Sequence, residues 1–190
     1  IKLISYGFTE GFYYRPRITK ELLEQHHTGL LALSSCLQGE VAQMLLQGRD
    51  EDALRATKYY QNLFQEDFYL ELQDHGLAEQ KRILPRLIRL HEITGVPLVA
   101  TNDVHYIEKE DYLAQDVLLC IQTGAEFKDK DRMRFPAREF YLKTPEEMEE
   151  LFSDYPDAIT NTVKIAEQCN VSMDFSRFHL TPYRREKDFS

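Results

Sequence analysis

The sequence predicts an α/β fold built on parallel strands, and two observations predict it. Short apolar runs at Leu30–Ser35, Phe68–Leu72 and Val96–Thr101 alternate with longer stretches whose apolar residues recur at helical spacing. Strands separated by helices of that length make βαβ units, and hence a parallel sheet with right-handed crossovers. Each run also ends in residues able to bind metal or move protons: Cys36, then Glu71 and His75, then Asp103 and His105. The C-terminal ends of parallel strands are where α/β folds build their sites.

The elements follow in order. Ile1–Phe8 opens inside an apolar helical pattern with neither a cap nor an initiator Met, so the chain is expected to be a piece cut from something longer. Thr19–His27 is a short helix, with Thr19 as its N-cap and Gly29 stopping it. Leu30–Ser35 is short and continuously apolar, as a buried strand is. Glu40–Gln47 and Asp50–Glu66 are helices separated by Gly48, and Ala53, Ala56, Tyr60, Leu63 and Phe64 give the second an apolar face.

Phe68–Leu72 is the next strand. Leu77–Thr94 is a long helix with Ile83, Leu84, Leu87, Ile88 and His91 on one side, ended by Gly95, and Val96–Thr101 is the third strand. Asp111–Thr123 is a helix closed by Gly124, followed by a basic loop and the segment Phe140–Leu142. Thr144-Pro145-Glu146-Glu147 is a helix start, with a hydroxyl at the cap, Pro at the first position and Glu three residues after the cap. Asp157–Asn170 is the last helix, and from Ser172 onward the chain has no period and reads as a linker.

Composition narrows the function classes. A hydrophobic fraction of 43% with 11 Tyr and 11 Phe is that of a globular chain. No apolar run reaches the roughly 20 residues that span a bilayer, and three cysteines without close spacing make no disulfide framework, so a reducing cytoplasm is expected. The net charge of −9 opposes tight nucleic-acid binding by this chain alone, since phosphates call for a basic stripe. Only Lys128–Arg138 is locally basic, with Lys128, Lys130, Arg132, Arg134 and Arg138 against Asp129 and Asp131.

Asp103 and His105 are the sharpest candidates. On an extended chain residues two apart point the same way. A carboxylate and an imidazole then converge at a strand end, as a divalent metal requires. The competing reading is a turn in which Asp103 caps the loop. Cys36 either joins that pocket as a thiolate or is a buried structural thiol. Glu71, Asp74 and His75 either orient ligands at the same rim or form a strand-to-helix turn capping the helix that starts near Leu77. His26 and His27 belong to a helix terminus, His91 to the core, and Cys120 and Cys169 to the core. The chain has no Gly-rich phosphate loop and no Ser/His/Asp arrangement.

Several motifs carry a resemblance: Glu10-Gly-Phe-Tyr-Tyr-Arg-Pro-Arg17, Leu33-Ser-Ser-Cys-Leu-Gln-Gly-Glu40, Tyr69-Leu-Glu-Leu-Gln-Asp-His-Gly76, Val99-Ala-Thr-Asn-Asp-Val-His-Tyr106 and Val117-Leu-Leu-Cys-Ile-Gln-Thr-Gly124. Arg134-Phe-Pro136, Phe140-Tyr-Leu-Lys143 and Ala166-Glu-Gln-Cys-Asn170 extend it. Together they resemble, over nearly the whole chain, the alpha subunits of bacterial DNA polymerase III, in the second half of the polymerase-and-histidinol-phosphatase (PHP) domain and the segment leading toward the palm.

The resemblance implies a partial, irregular (βα) barrel of PHP type over residues 1–107, a helical extension over 108–171 and a linker over 172–190. It implies Cys36, Asp103 and His105 as metal ligands, for Zn or Mn, in a site whose intact form supports 3′–5′ phosphodiester hydrolysis. No catalytic residue is assigned. The family's opening His-x-His motif and the polymerase's catalytic aspartates, with their Mg, are absent from this sequence, so the fragment alone is expected to be inactive. The implied partners are the rest of the alpha subunit, the proofreading exonuclease subunit and the sliding clamp, with DNA reached through the whole polymerase. The alternatives are a non-catalytic domain that stabilises the polymerase and docks the exonuclease, and a free-standing PHP phosphatase.

Overall fold

A computed structural model of the chain describes residues 1–176. The linker expected over 172–190 therefore lies, from residue 177 on, outside the described residues. The helices are α1 (Lys2–Thr9), α2 (Lys20–His26), α3 (Glu40–Leu46), α4 (Asp50–Phe64), α5 (Ala78–Thr94), α6 (Tyr112–Thr123), α7 (Pro145–Leu151) and α8 (Pro156–Gln168), and the strands are β1 (Ala32–Leu33), β2 (Phe68–Leu72) and β3 (Leu98–Ala100).

The three strands form one open parallel sheet in the order β1-β2-β3. This is the predicted α/β class, and it is consistent with part of a (βα) barrel. Phe68, Leu70 and Leu72 of β2 are almost fully buried, and so is Tyr69 on the other side. That two-sided burial explains why its sequence runs apolar instead of alternating. Around the sheet α3, α4 and α5 pack on one another, α4 and α5 also touch β2, and α8 lies along β3. Their shared core takes Val41 and Leu45 from α3, Ala53 and Ala56 from α4, Ile83, Leu87 and Leu90 from α5, and Ala158 from α8. Burying each such Leu or Ile side chain is worth about 1.5–3 kcal/mol.

Local chemistry sets the boundaries. The Thr19 hydroxyl accepts from the Leu22 N–H and starts α2. Thr144 and Glu147 form the reciprocal capping box at α7, with Pro145 in the first turn. Gly95 ends α5 in the left-handed conformation at φ 71°, which a side chain would make costly.

The structure departs from the sequence reading at several points. β1 keeps only two residues of the expected Leu30–Ser35, and β3 stops at Ala100. Short 3-10 turns occupy Gln65–Asp67 and Lys109–Asp111, at the end and the start of expected helices. Cys169, assigned to the core, follows the last turn of α8 and is exposed, whereas Cys120 is buried as expected.

A second, smaller core forms past β3. Tyr106, Phe140 and Tyr141 are buried together, with Tyr112, Phe135 and Leu77 packed around them. The segment holding Phe140 runs parallel to the one holding Tyr106: Phe140 O accepts from the His105 N–H at 2.8 Å, and the Leu142 N–H donates to Tyr106 O at 3.0 Å.

Candidate functional site

The rim of the sheet gathers the loops that follow the three strands. Asp103 and His105 lie on the loop after β3, and their side chains meet: His105 Nε2 is 3.2 Å from Asp103 Oδ1, with both side chains more than a third exposed. The spacing argument thus finds a real pair, although the pair sits on a loop beyond Ala100, not on the strand itself. Phe135 backs His105, with ring centroids 4.4 Å apart, and Phe140 meets its edge.

Cys36 is not brought to that pair. It lines a cavity of about 20 Å³ with Ser34, Ser35, Glu71, Gln73 and Gln80, room for a single water. The parallel register explains the separation. Leu33, the end of β1, pairs with Tyr69, whereas β2 runs on to Leu72, which pairs with Ala100 at the end of β3. The β1 tip therefore falls three residues short of the other two, about 10 Å at roughly 3.3 Å per residue. Among the described residues no group of three or more His, Cys, Asp or Glu side chains could hold a metal ion. A divalent metal takes four or more donors, so the pair could supply part of a ligand set and does not complete one among the described residues.

Glu71 and His75 turn inward. Glu71 Oε1 accepts from Thr101 Oγ1 at 2.5 Å and from Gln73 Nε2 at 2.9 Å, a polar bridge from β2 to the start of the β3 loop. His75 is 1% exposed and stacks face to face on Phe140, centroids 4.5 Å apart. Gln80 grips it twice: Oε1 accepts from the His75 backbone N–H at 2.7 Å, and Nε2 lies 2.9 Å from Nδ1. The Asp103 backbone N–H reaches His75 Nε2 at 3.2 Å.

Both ring nitrogens thus face donors. A neutral imidazole can accept at one of them and a protonated one at neither. Burial first, and then the charge of Lys143, push the His75 pKa below the usual histidine value, against weaker opposing effects from Asp103, Asn102 and Asp74. His75 is accordingly a neutral strut that fixes the backbone of Asp103 and so the loop carrying the pair.

The expectation that Asp74 or His75 caps α5 is corrected. Leu77 occupies the N-cap position without a side-chain bond, and Asp74 Oδ1 instead accepts from the Gly76 N–H at 2.7 Å. Gln80 was missed by the sequence reading. Its signal was there, because it is the third residue of α5, where a Gln folds back on the chain before a helix. Phe140 and Tyr141 were seen without a partner, since nothing local announces a pairing across 35 residues to Tyr106. His27 Nδ1 bonds Glu24 O at 2.7 Å at the end of α2, and His91 Nδ1 bonds Val96 O at 2.8 Å, both as structural residues.

Comparison with known proteins places this geometry in a family. Residues 1–75 match the PHP domain. The chain is 48% identical over 189 residues, 99% of its length, to the DNA polymerase III subunit alpha of Treponema pallidum. It is 46% identical over 170 residues, 90% of its length, to that of Borreliella burgdorferi, and 46% identical over 175 residues to that of Deinococcus radiodurans. It spans 16%, 15% and 13% of the lengths of these relatives. The sheet with its strand-end rim, the PHP match and the near full-chain identity agree: the chain belongs to the bacterial DNA polymerase III alpha subunit family, in the region of its PHP domain.

Proposed function

We propose that the chain serves as the PHP region of a replicative, DNA-directed DNA polymerase, and that Asp103 and His105 contribute to a divalent-metal centre completed by donors outside this chain. The convergence of those two side chains at the rim supports the reading. Cys36 belongs to the same ligand set only if the β1 loop moves toward the rim. A bound Zn or Mn would supply an activated water for 3′–5′ phosphodiester hydrolysis. This chain's own part is to hold the two donors: His75, Gln80 and Phe140 fix the loop, and Phe135 orients the His105 ring. Nucleotide addition, with its Mg, belongs to other parts of the polymerase. Residues 1–107 would form the barrel portion and 108–171 the connection toward the palm.

A second reading is favoured by the lack of a three-donor cluster among the described residues. In it the region is a brace that stabilises the polymerase and docks its proofreading exonuclease. Metal analysis of the whole polymerase separates the two. On the first reading, metal per protein falls at least tenfold in Asp103→Ala and His105→Ala, while template-directed DNA synthesis persists. Unchanged metal content in both variants leaves the brace as the function.

A further inference from the structure

The basic loop, modest in sequence, folds into something more specific. Tyr106, Tyr112, Phe135, Arg134, Arg138 and Asp116 line a cavity of about 170 Å³ beside the rim. Asp116 does not make this cavity acidic, because Arg132, its side chain 2% exposed, closes on it with both terminal nitrogens. The other two arginines are exposed and, among the described residues, have no carboxylate within ion-pair distance. One terminal nitrogen of Arg134 donates to the Asp129 carbonyl at 2.7 Å, which leaves its other donors for a ligand. The guanidinium of Arg138 stacks on the Tyr112 ring at 3.9 Å, an arrangement that holds its donor edge outward.

We propose that this cavity is a subsite for single-stranded DNA, in which Arg134 and Arg138 grip the phosphodiester backbone and one unstacked base lies against the half-buried Phe135 wall. Cationic donors beside aromatic faces are the combination that holds single strands without reading sequence. The volume takes a phosphate with one base and excludes a duplex, whose second strand would also meet the acidic remainder of a chain of net charge −9. Phe135 and Tyr106 form the wall shared with the rim: Phe135 packs on His105, and Tyr106 follows it in the chain. A strand held in the cavity thus passes the Asp103–His105 pair. Only the identity of the ligand rests on the polymerase reading; the pocket rests on its own geometry.

The test is fluorescence anisotropy of the 190-residue chain with a labelled dT12 oligonucleotide, at low and rising salt. Weak, salt-sensitive binding is expected. Arg134→Glu/Arg138→Glu should weaken it at least tenfold, and the charge-neutral pair Arg134→Gln/Arg138→Gln should reduce the slope of log affinity against log salt by about 1.4, two single-strand contacts. Lys58→Glu/Lys81→Glu, the same change in net charge at exposed positions on α4 and α5, should change binding less than twofold. Circular dichroism checks that every variant folds. The proposal is overturned if dT12 does not bind, if the lysine pair costs as much as the arginine pair, or if a 12-bp duplex binds equally well. DNA synthesis by the whole polymerase is read separately, so a failed subsite is distinguishable from a failed family reading.

Discussion

The interior of the sheet and its rim are held together in different ways. In the interior, Leu70 and Leu72 of β2 and Leu87 of α5 are buried among other apolar side chains, and any residue of similar size and polarity would serve. At the rim, His75 is as dry as those leucines yet is held by Gln80, by the Asp103 backbone and by the face of Phe140, each contact specific in direction. The core makes the strands. The rim decides where their ends point, and it does so with polar groups that are expensive to bury unless satisfied.

The largest effect should come from the interior. Leu72→Ala removes a side chain that is 0% exposed at the end of β2, and a large-to-small change in such a core costs about 2–5 kcal/mol. Chemical denaturation of the 190-residue chain measures it. A loss below about 1 kcal/mol would mean that the β2 end collapses around the hole, and that the interior is softer than its burial implies.

Next comes the rim. Gln80→Leu keeps the volume but leaves the His75 backbone N–H unpaired in a dry site, which costs about 1–3 kcal/mol. The change should do more than destabilise. With the strut loosened, the NMR resonances of Asp103 and His105 should broaden or shift, while those of β2 stay put. Equal disturbance of both regions would erase the distinction between core and rim.

The same contrast explains what the sequence could tell. β2 was legible to the residue, Phe68–Leu72, because an uninterrupted apolar run of that length between polar flanks has few other fates. The Thr144 capping box and Gly95 were legible because caps are local chemistry. Asp103 and His105 were legible as a pair because spacing of two is local too. The placement of Cys36 was not, since it depends on how far β1 runs before its pairing with β2 gives out, a fact of register that no single strand encodes. Nor was the Tyr106–Tyr141 bridge, which joins segments far apart in the chain. The exposure of Cys169 was misjudged because α8 ends at Gln168, one residue before it.

The smallest effect sharpens the comparison within polar contacts alone, since not all of them are dry. Glu40, at the start of α3, accepts from Lys20 Nζ at 2.8 Å and from the Tyr60 hydroxyl at 2.6 Å, with its side chain a third exposed. Burial pushes its carboxyl up, but the hydrogen bonds from Lys20 and Tyr60 outweigh it, and its pKa lies below the ordinary glutamate value. The unfolded chain then binds the proton more readily than the folded one. Stability from this group is present above the unfolded pKa of 4.5 and is lost as pH falls through the lower folded value. Glu40→Gln should therefore lower stability modestly at neutral pH and converge with the unsubstituted chain at low pH, which flattens the acid limb of the stability curve below about pH 4.5. Solvent shares the work at this half-wet contact, as it cannot at Gln80, so its loss should also be the milder of the two. If Glu40→Gln instead costs as much at pH 7 as Gln80→Leu, then dryness is not what sets the rim apart, and the geometry of its bonds is.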